Sequence, residues 1–139
     1  GEESGGLAVK GHIPERDGVW MGILIMEFMA VTGKSIKQLI AEVYEKVGSF
    51  SFERDDHHIT NAIKDEVMRK CKEGEVKMIG SRPVVRTETI DGYKFYLNDD
   101  EWIMVRASGT EPVLRIYAQT PSTAQSRTLL DEAAKSLMG

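Results

Sequence analysis

At 139 residues, 41% hydrophobic and 29% charged, the chain has the make-up of an ordinary globular protein. Its length suits one domain, or one small domain with part of another. A formal net charge of −4 excludes any general attraction to nucleic acid or to anionic membranes, so an anion site here has to be a local cluster of donors. The single cysteine, Cys71, excludes an internal disulfide, falls in a helical pattern and reads as a buried thiol, which favours a reducing compartment. The longest apolar run, Val19 to Val31, is too short to span a bilayer and contains Glu27. The expectation is a soluble, cytoplasmic protein.

In chain order, residues 1–18 are rich in glycine and charge and read as a loop, with Asp17 placed to cap the first helix. Val19 to about Val31 is that helix, with apolar residues on nearly every side, the pattern of a helix inside a larger core. Few elements precede it to cover it, which implies that part of its domain is missing. Ser35 and Gln38 have capping-box spacing, and Ile36, Leu39, Ile40, Val43, Tyr44 and Val47 repeat at helical spacing with one face expected to be buried. Gly48 supplies the stop.

The remainder reads as a complete small α+β domain. A short strand near Phe50 to Arg54 leads into a helix from about Thr60 to Glu73, stopped by Gly74. Asp91-Gly92 is a hairpin turn signal before the alternating strand Tyr93, Phe95, Leu97. Trp102 to Val105 is a short central strand, and Val113 to Gln119 is the next, with Leu114, Ile116 and Ala118 on one face. The last helix opens with Ser122 and Gln125 and buries Leu129, Leu130, Ala133, Ala134, Leu137 and Met138. The fold class expected is therefore α+β: a small C-terminal domain with a mainly antiparallel sheet flanked by two helices, at residues 48–139. A truncated helical piece precedes it, at residues 1–47.

Three segments carry candidate chemistry. The first is Arg106-Ala107-Ser108-Gly109-Thr110-Glu111-Pro112 with Arg115, joining two strands. Glycine permits close backbone approach, successive amides of residues 108–110 can form an anion nest, Ser108 and Thr110 add hydroxyls, and two arginine forks match phosphate oxygens. A simple hairpin would set Arg106 opposite Val113 and so put Arg106 and Arg115 on one face. The other reading, arginines that keep a sheet face soluble, stays open on residue types alone.

The second segment is Gly1-Glu2-Glu3-Ser4-Gly5-Gly6, where a carboxylate beside a serine suits vicinal hydroxyls. Nothing nearby completes an acid–base pair or a metal site, and a plain acidic surface loop is the competing reading. The third is His12 through Gly18, in which His12 and Arg16 can point at a ligand, or Asp17 can simply cap the helix and leave Arg16 in solvent. His57 and His58 are adjacent on a strand end and make a poor metal pair, and Asn98 to Glu101 lacks the spacing of a calcium loop.

In order and spacing these three segments resemble the C-terminal motifs of the α-D-phosphohexomutases, the phosphoglucomutases and phosphomannomutases, over essentially the whole chain. The resemblance implies the last part of a four-domain enzyme, with residues 1–47 the remnant of its sugar-binding third domain, an α/β domain, and residues 48–139 its phosphate-binding fourth. A phosphoserine in the first domain and Mg²⁺-holding aspartates in the second would lie outside this chain. Interconversion of hexose 1-phosphate and hexose 6-phosphate would run through a bisphosphorylated sugar, with a glucose 1,6-bisphosphate-type activator. Carried over, Glu2, Ser4, His12 and Arg16 would serve the sugar, and Arg106, Ser108, Gly109, Thr110 and Arg115 the non-reacting phosphate. Arg16 stands where some relatives have lysine, and arginine hardly deprotonates, so no proton transfer is expected from it.

The chain alone would be a fragment that binds no metal or activator and is inactive, with a hexose phosphate as the partner and neither nucleic acid nor membrane. A non-catalytic phospho-ligand-binding module built on the same domain is the alternative, and a domain whose arginines have no ligand is a third. The sequence specifies no oligomeric state and does not separate glucose from mannose.

Overall fold

A computed structural model describes residue 1 and residues 6–139 and divides the chain into two units, Gly1–Gly48 and Ser49–Gly139. The candidate sugar residues Glu2 and Ser4 lie outside the described residues.

In the first unit, helix α1 (Gly18–Thr32) begins where the Asp17 carboxylate accepts the Trp20 amide at 2.9 Å, satisfying one of the donors a helix start leaves open. It ends at Gly33, whose left-handed φ of 68° lets its amide return to the Met29 carbonyl. Helix α2 (Ile36–Val47) opens with the complete capping box of Ser35 and Gln38. Among the described residues no single helix is long and apolar enough to cross a membrane, and α1 and α2 bend 86° at their break.

Burial departs from the expectation for α2. Leu39 is its only buried residue, and Ile36, Ile40, Val43, Tyr44 and Val47 are all exposed. Helix α1 buries none of its residues. Two helices set at a steep angle do not form a second layer that covers either apolar face.

The second unit runs β1 (Ser51–His58), α3 (Asn61–Lys72), β2 (Met78–Ile79), β3 (Arg82–Pro83), β4 (Arg86–Glu88), β5 (Tyr93–Tyr96), β6 (Trp102–Ala107), β7 (Val113–Thr120) and α4 (Thr123–Met138). The five strands β1, β7, β6, β5 and β4 form one antiparallel sheet in that order, and β2 pairs with β3 separately. The expected α+β class with a mainly antiparallel sheet is what the structure shows. Strand β1 continues to His58 because it pairs along the whole of β7, from Ser51 opposite Thr120 to His58 opposite Val113. It is an edge strand, and six of its eight residues are charged or histidine.

One sheet face builds the core. Phe95, Ile103, Val105, Leu114, Ile116 and Ala118 meet Val67 and Cys71 of α3 and Leu129, Leu130, Ala133 and Leu137 of α4. The alternation along β7 puts Leu114, Ile116 and Ala118 on that face, as the sequence pattern implies. Burying each leucine contributes about 1.5–3 kcal/mol relative to exposure. Burial also pushes the Cys71 thiol up to about 11. Two buried hydroxyls tie the layers together: Thr120 donates to the Ser122 carbonyl at 2.8 Å and Ser126 of α4 donates to the Ser51 carbonyl at 3.1 Å.

Between β4 and β5, Gly92 is required twice over. Its φ is 94°, and a β-carbon there would stand 2.6 Å from the Val105 carbonyl oxygen of β6. This close approach sets Gly92 against β6, and Asp91 beside it reaches Arg106 on the sheet face opposite the core.

Candidate functional site

The loop 108–112 joins β6 to β7. Arg106 at the end of β6 lies directly opposite Arg115 of β7, not opposite Val113 as a simple hairpin would have it. The shift arises because the ladder closes at Ala107 and Leu114, and the Ser108 amide then donates to the Val113 carbonyl at 2.9 Å. Residues directly opposite share a face, so both guanidinium groups still stand on the same side of the sheet.

Like charges placed directly across a ladder repel. The fold offsets this with a carboxylate on each flank. Asp91 Oδ2 is 3.3 Å from Arg106 Nη1, and Asp56 Oδ2 is 3.7 Å from Arg115 Nε. Asp56 sits opposite Arg115 in the β1–β7 ladder and also pairs with Arg54 at 3.0 Å. Arg115 Nε is buried and has no hydrogen-bond partner among the described residues. Both arginines remain about a third exposed, so their forks reach solvent.

The loop itself is organised by Ser108. Its Oγ accepts the Thr110 amide at 3.4 Å and the Glu111 amide at 3.2 Å. A hydroxyl that accepts twice has one hydrogen left, which it can only donate outward. The Pro112 carbonyl accepts the Ile59 amide at 3.1 Å, and Lys64 of α3 donates to the carbonyls of Ser108 and Glu111 at 3.4 and 3.1 Å. The three-amide nest suggested by the sequence is therefore narrower. Ser108 N–H is engaged in the ladder and Thr110 N–H faces Ser108 Oγ, whereas Gly109 N–H has no acceptor among the described residues. A β-carbon at Gly109 would meet nothing within 4 Å, and its φ is not left-handed, so the chain's own packing does not demand glycine there.

In the first unit His12 is held by two neighbours. Its Nε2 lies 3.0 Å from Asp17 Oδ2 and its ring stacks on Trp20 at 4.7 Å with an interplanar angle of 14°. Asp17 thus caps α1 with one oxygen and holds the imidazole with the other. The Trp20 amide, and after it His12, draw the Asp17 carboxyl below its ordinary value. Arg16 is exposed and lies in the same unit as His12, and the candidate phosphate residues Arg106, Ser108, Gly109, Thr110 and Arg115 lie in the other. Among the described residues no three His, Cys, Asp or Glu side chains converge as a metal site.

Sequence reading alone found neither Lys64 nor the flanking Asp56 and Asp91. Lys64 had one legible signal: it is a cation near the start of a helix, where the macrodipole disfavours positive charge.

Residues 1–47 match the description "Phosphoglucomutase/phosphomannomutase, alpha/beta/alpha domain III", and residues 66–136 match "Phosphoglucomutase/phosphomannomutase, C-terminal domain". A phosphoglucomutase/phosphomannomutase of Thermococcus kodakarensis is 34% identical over 99% of this chain. The chain belongs to the phosphoglucomutase/phosphomannomutase family. Within that family it is also similar to a phosphoglucosamine/phosphogalactosamine mutase of Sulfurisphaera tokodaii, 29% identical over 99% of the chain, and to a phosphopentomutase of Thermococcus kodakarensis, 30% identical over 68%. The chain spans 28%, 28% and 21% of those three proteins' lengths. The crystal structure of a phosphoglucomutase/phosphomannomutase family protein from Burkholderia thailandensis shares the fold, with a TM-score of 0.59 over 91% of this chain and 24% of that one, at 16% identity.

Proposed function

We propose that Arg106, Ser108, Gly109, Thr110 and Arg115 bind the non-reacting phosphate of a phosphorylated sugar. The observation that carries this is the placement of two guanidinium groups directly across one ladder, beside a loop offering an amide, a hydroxyl and room for close approach. A pair of forks on one sheet face suits an anion with several oxygens, and an anion between them relieves their repulsion. The relatives support a phosphate reading over any one sugar, because their names span glucose, mannose, glucosamine, galactosamine and pentose phosphates.

In the complete enzyme this part would hold the phosphate and read the hydroxyls of a hexose phosphate that is interconverted between its 1- and 6-phosphates through a bisphosphorylated intermediate. Glu2 would accept from a sugar hydroxyl and Ser4 would donate or accept. His12, fixed by Asp17 and Trp20, would present its remaining ring nitrogen, and Arg16 its charge. The phosphoryl donor and the Mg²⁺ would be supplied by residues outside this chain. Accordingly the chain alone, given glucose 1-phosphate, Mg²⁺ and catalytic glucose 1,6-bisphosphate, should show no turnover above a buffer blank.

A second reading also has an observation behind it. Each arginine already faces a carboxylate, as in a domain whose arginines serve only the sheet face. Titration of inorganic phosphate into isotopically labelled chain, followed by amide shifts, separates the two. The proposed site requires shifts at Gly109 and Thr110. It also requires about ten-fold or greater loss of affinity in Arg106→Ala and in Arg115→Ala, since a charge-assisted hydrogen bond is worth about 1.5–3 kcal/mol. Gly109→Ala should weaken phosphate as strongly while leaving stability unchanged, because the added methyl meets only the ligand. Shifts that map elsewhere, or arginine variants that bind like the parent, establish the second reading.

A further inference from the structure

We infer that Lys64 is a positioning residue for phosphate recognition, fixing the peptide plane that aims the Gly109 amide. The inference rests on the phosphate reading of this loop and adds to it a group on another element that touches no ligand.

Lys64 is half-buried at the fourth residue of α3, and its ammonium reaches two carbonyls of the loop, Ser108 at 3.4 Å and Glu111 at 3.1 Å. The Ser108 carbonyl and the Gly109 N–H belong to one peptide group. In a trans peptide these two bonds point in opposite directions, and among the described residues no peptide bond is cis. A cation holding the carbonyl on the α3 side therefore directs the Gly109 N–H away from α3. Helix α3 packs on the core face through Val67 and Cys71, and Arg106 and Arg115 occupy the opposite face. Withdrawing density from the carbonyl also makes the N–H of the same peptide a stronger donor.

The second contact closes the other end. Glu111 C=O and Ser108 C=O bracket Gly109 and Thr110, so one ammonium ties both ends of the segment that faces the ligand. The remaining ties are local or belong to the sheet: Ser108 Oγ to its own loop, and Ile59 to Pro112. Placing a lysine near the positive end of a helix is unfavourable in isolation. The two carbonyl contacts, 44 and 47 residues away in sequence, give that placement a purpose the helix itself does not.

Lys64→Met tests this, because it keeps the length of the stem and removes the three donors; Lys64→Arg restores donors. Inorganic phosphate is titrated into labelled chain in each variant, at low and at high salt. The expected result is a Kd raised about five-fold or more in Lys64→Met and brought back to within about two-fold by Lys64→Arg, with the thermal midpoint of all three alike. The Gly109 and Thr110 amide resonances should already be displaced in Lys64→Met before phosphate is added. The deficit should persist at high salt, since screening removes a distant charge effect but not a lost tether.

Wild-type binding at the loop with an unchanged Kd in Lys64→Met overturns the inference and leaves the phosphate site standing. A deficit that vanishes at high salt, with Gly109 unshifted, also overturns it, reducing Lys64 to a nearby charge. No phosphate shifts at the loop in the wild type overturns the phosphate site and, with it, this role of Lys64.

Discussion

The two units of this chain bury their apolar residues very differently. Among the described residues every buried hydrophobic one except Leu39 lies in Ser49–Gly139, whereas Gly1–Gly48 displays Val19, Met26, Phe28, Val31, Val43 and Val47 at its surface. The helices of both units are equally well begun, with side-chain caps at Asp17, Ser35, Thr60 and Ser122. Capping therefore fixes where a helix starts but says nothing about whether its face is covered. The second unit closes its own core; the first carries an apolar surface suited to packing.

The largest expected effect tests that contrast directly. Leu130→Ala, at a fully buried position of α4, should cost about 2–5 kcal/mol in denaturant unfolding, and Met26→Ala on α1 should stay within about 0.5 kcal/mol. Equal losses would show that α1 is as tightly packed as α4. Next come the glycines. Gly33→Ala incurs only the left-handed backbone penalty of about 1 kcal/mol, since nothing lies within 4 Å of its added methyl. Gly92→Ala adds a collision with the Val105 carbonyl and should cost clearly more, and it should also displace Asp91 from Arg106. A smaller loss at Gly92 than at Gly33 would mean that the 89–92 turn moves freely off β6.

The smallest effect is acid dependence. The Trp20 amide and His12 depress Asp17 below 3.8, and hydrogen bonding by Arg69 depresses Glu66 and Glu75 below 4.5. A depressed carboxyl adds stability that is complete above its ordinary value and is lost as pH falls through the folded one. Protection of the Trp20 amide, taken relative to its intrinsic exchange rate, should therefore fall only below about pH 3.8, and Asp17→Asn should remove that step. A loss of protection at higher pH would show that Asp17 does not carry the step.

Much of this architecture is legible in the sequence wherever the signal is local. Helices α2 and α4 follow from caps and helical spacing, α1 from its Asp17 cap and apolar run, and α3 from its stop at Gly74, while β6 follows from an apolar run and β7 from its alternation. Strands β2, β3 and β4 are not legible, because Met78–Ile79, Arg82–Pro83 and Arg86–Glu88 are too short to alternate and exist through pairing. The α2 face reads as buried because its repeat is helical, yet burial is a property of neighbours. At the site the residue types and the shared face are visible, but the register is not. Whether Arg106 meets Val113 or Arg115 depends on how the loop closes, and the partners that close it, Lys64, Asp56 and Asp91, are distant in sequence or in an unremarkable turn.

Strand β1 bears on how the chain survives its own synthesis. Its partner β7 is the last strand of the unit, so at roughly 5–20 residues per second β1 waits several seconds with its ladder groups open. An uncovered strand edge is a template for a second copy of the chain, and charge along it is the usual deterrent. Glu53, Arg54, Asp55 and Asp56 supply that charge throughout the wait. Once β7 arrives the same residues find partners, Glu53 and Asp55 with Arg127 and Asp56 with Arg115. The segment that keeps nascent chains apart thus ends as one wall of the arginine pair.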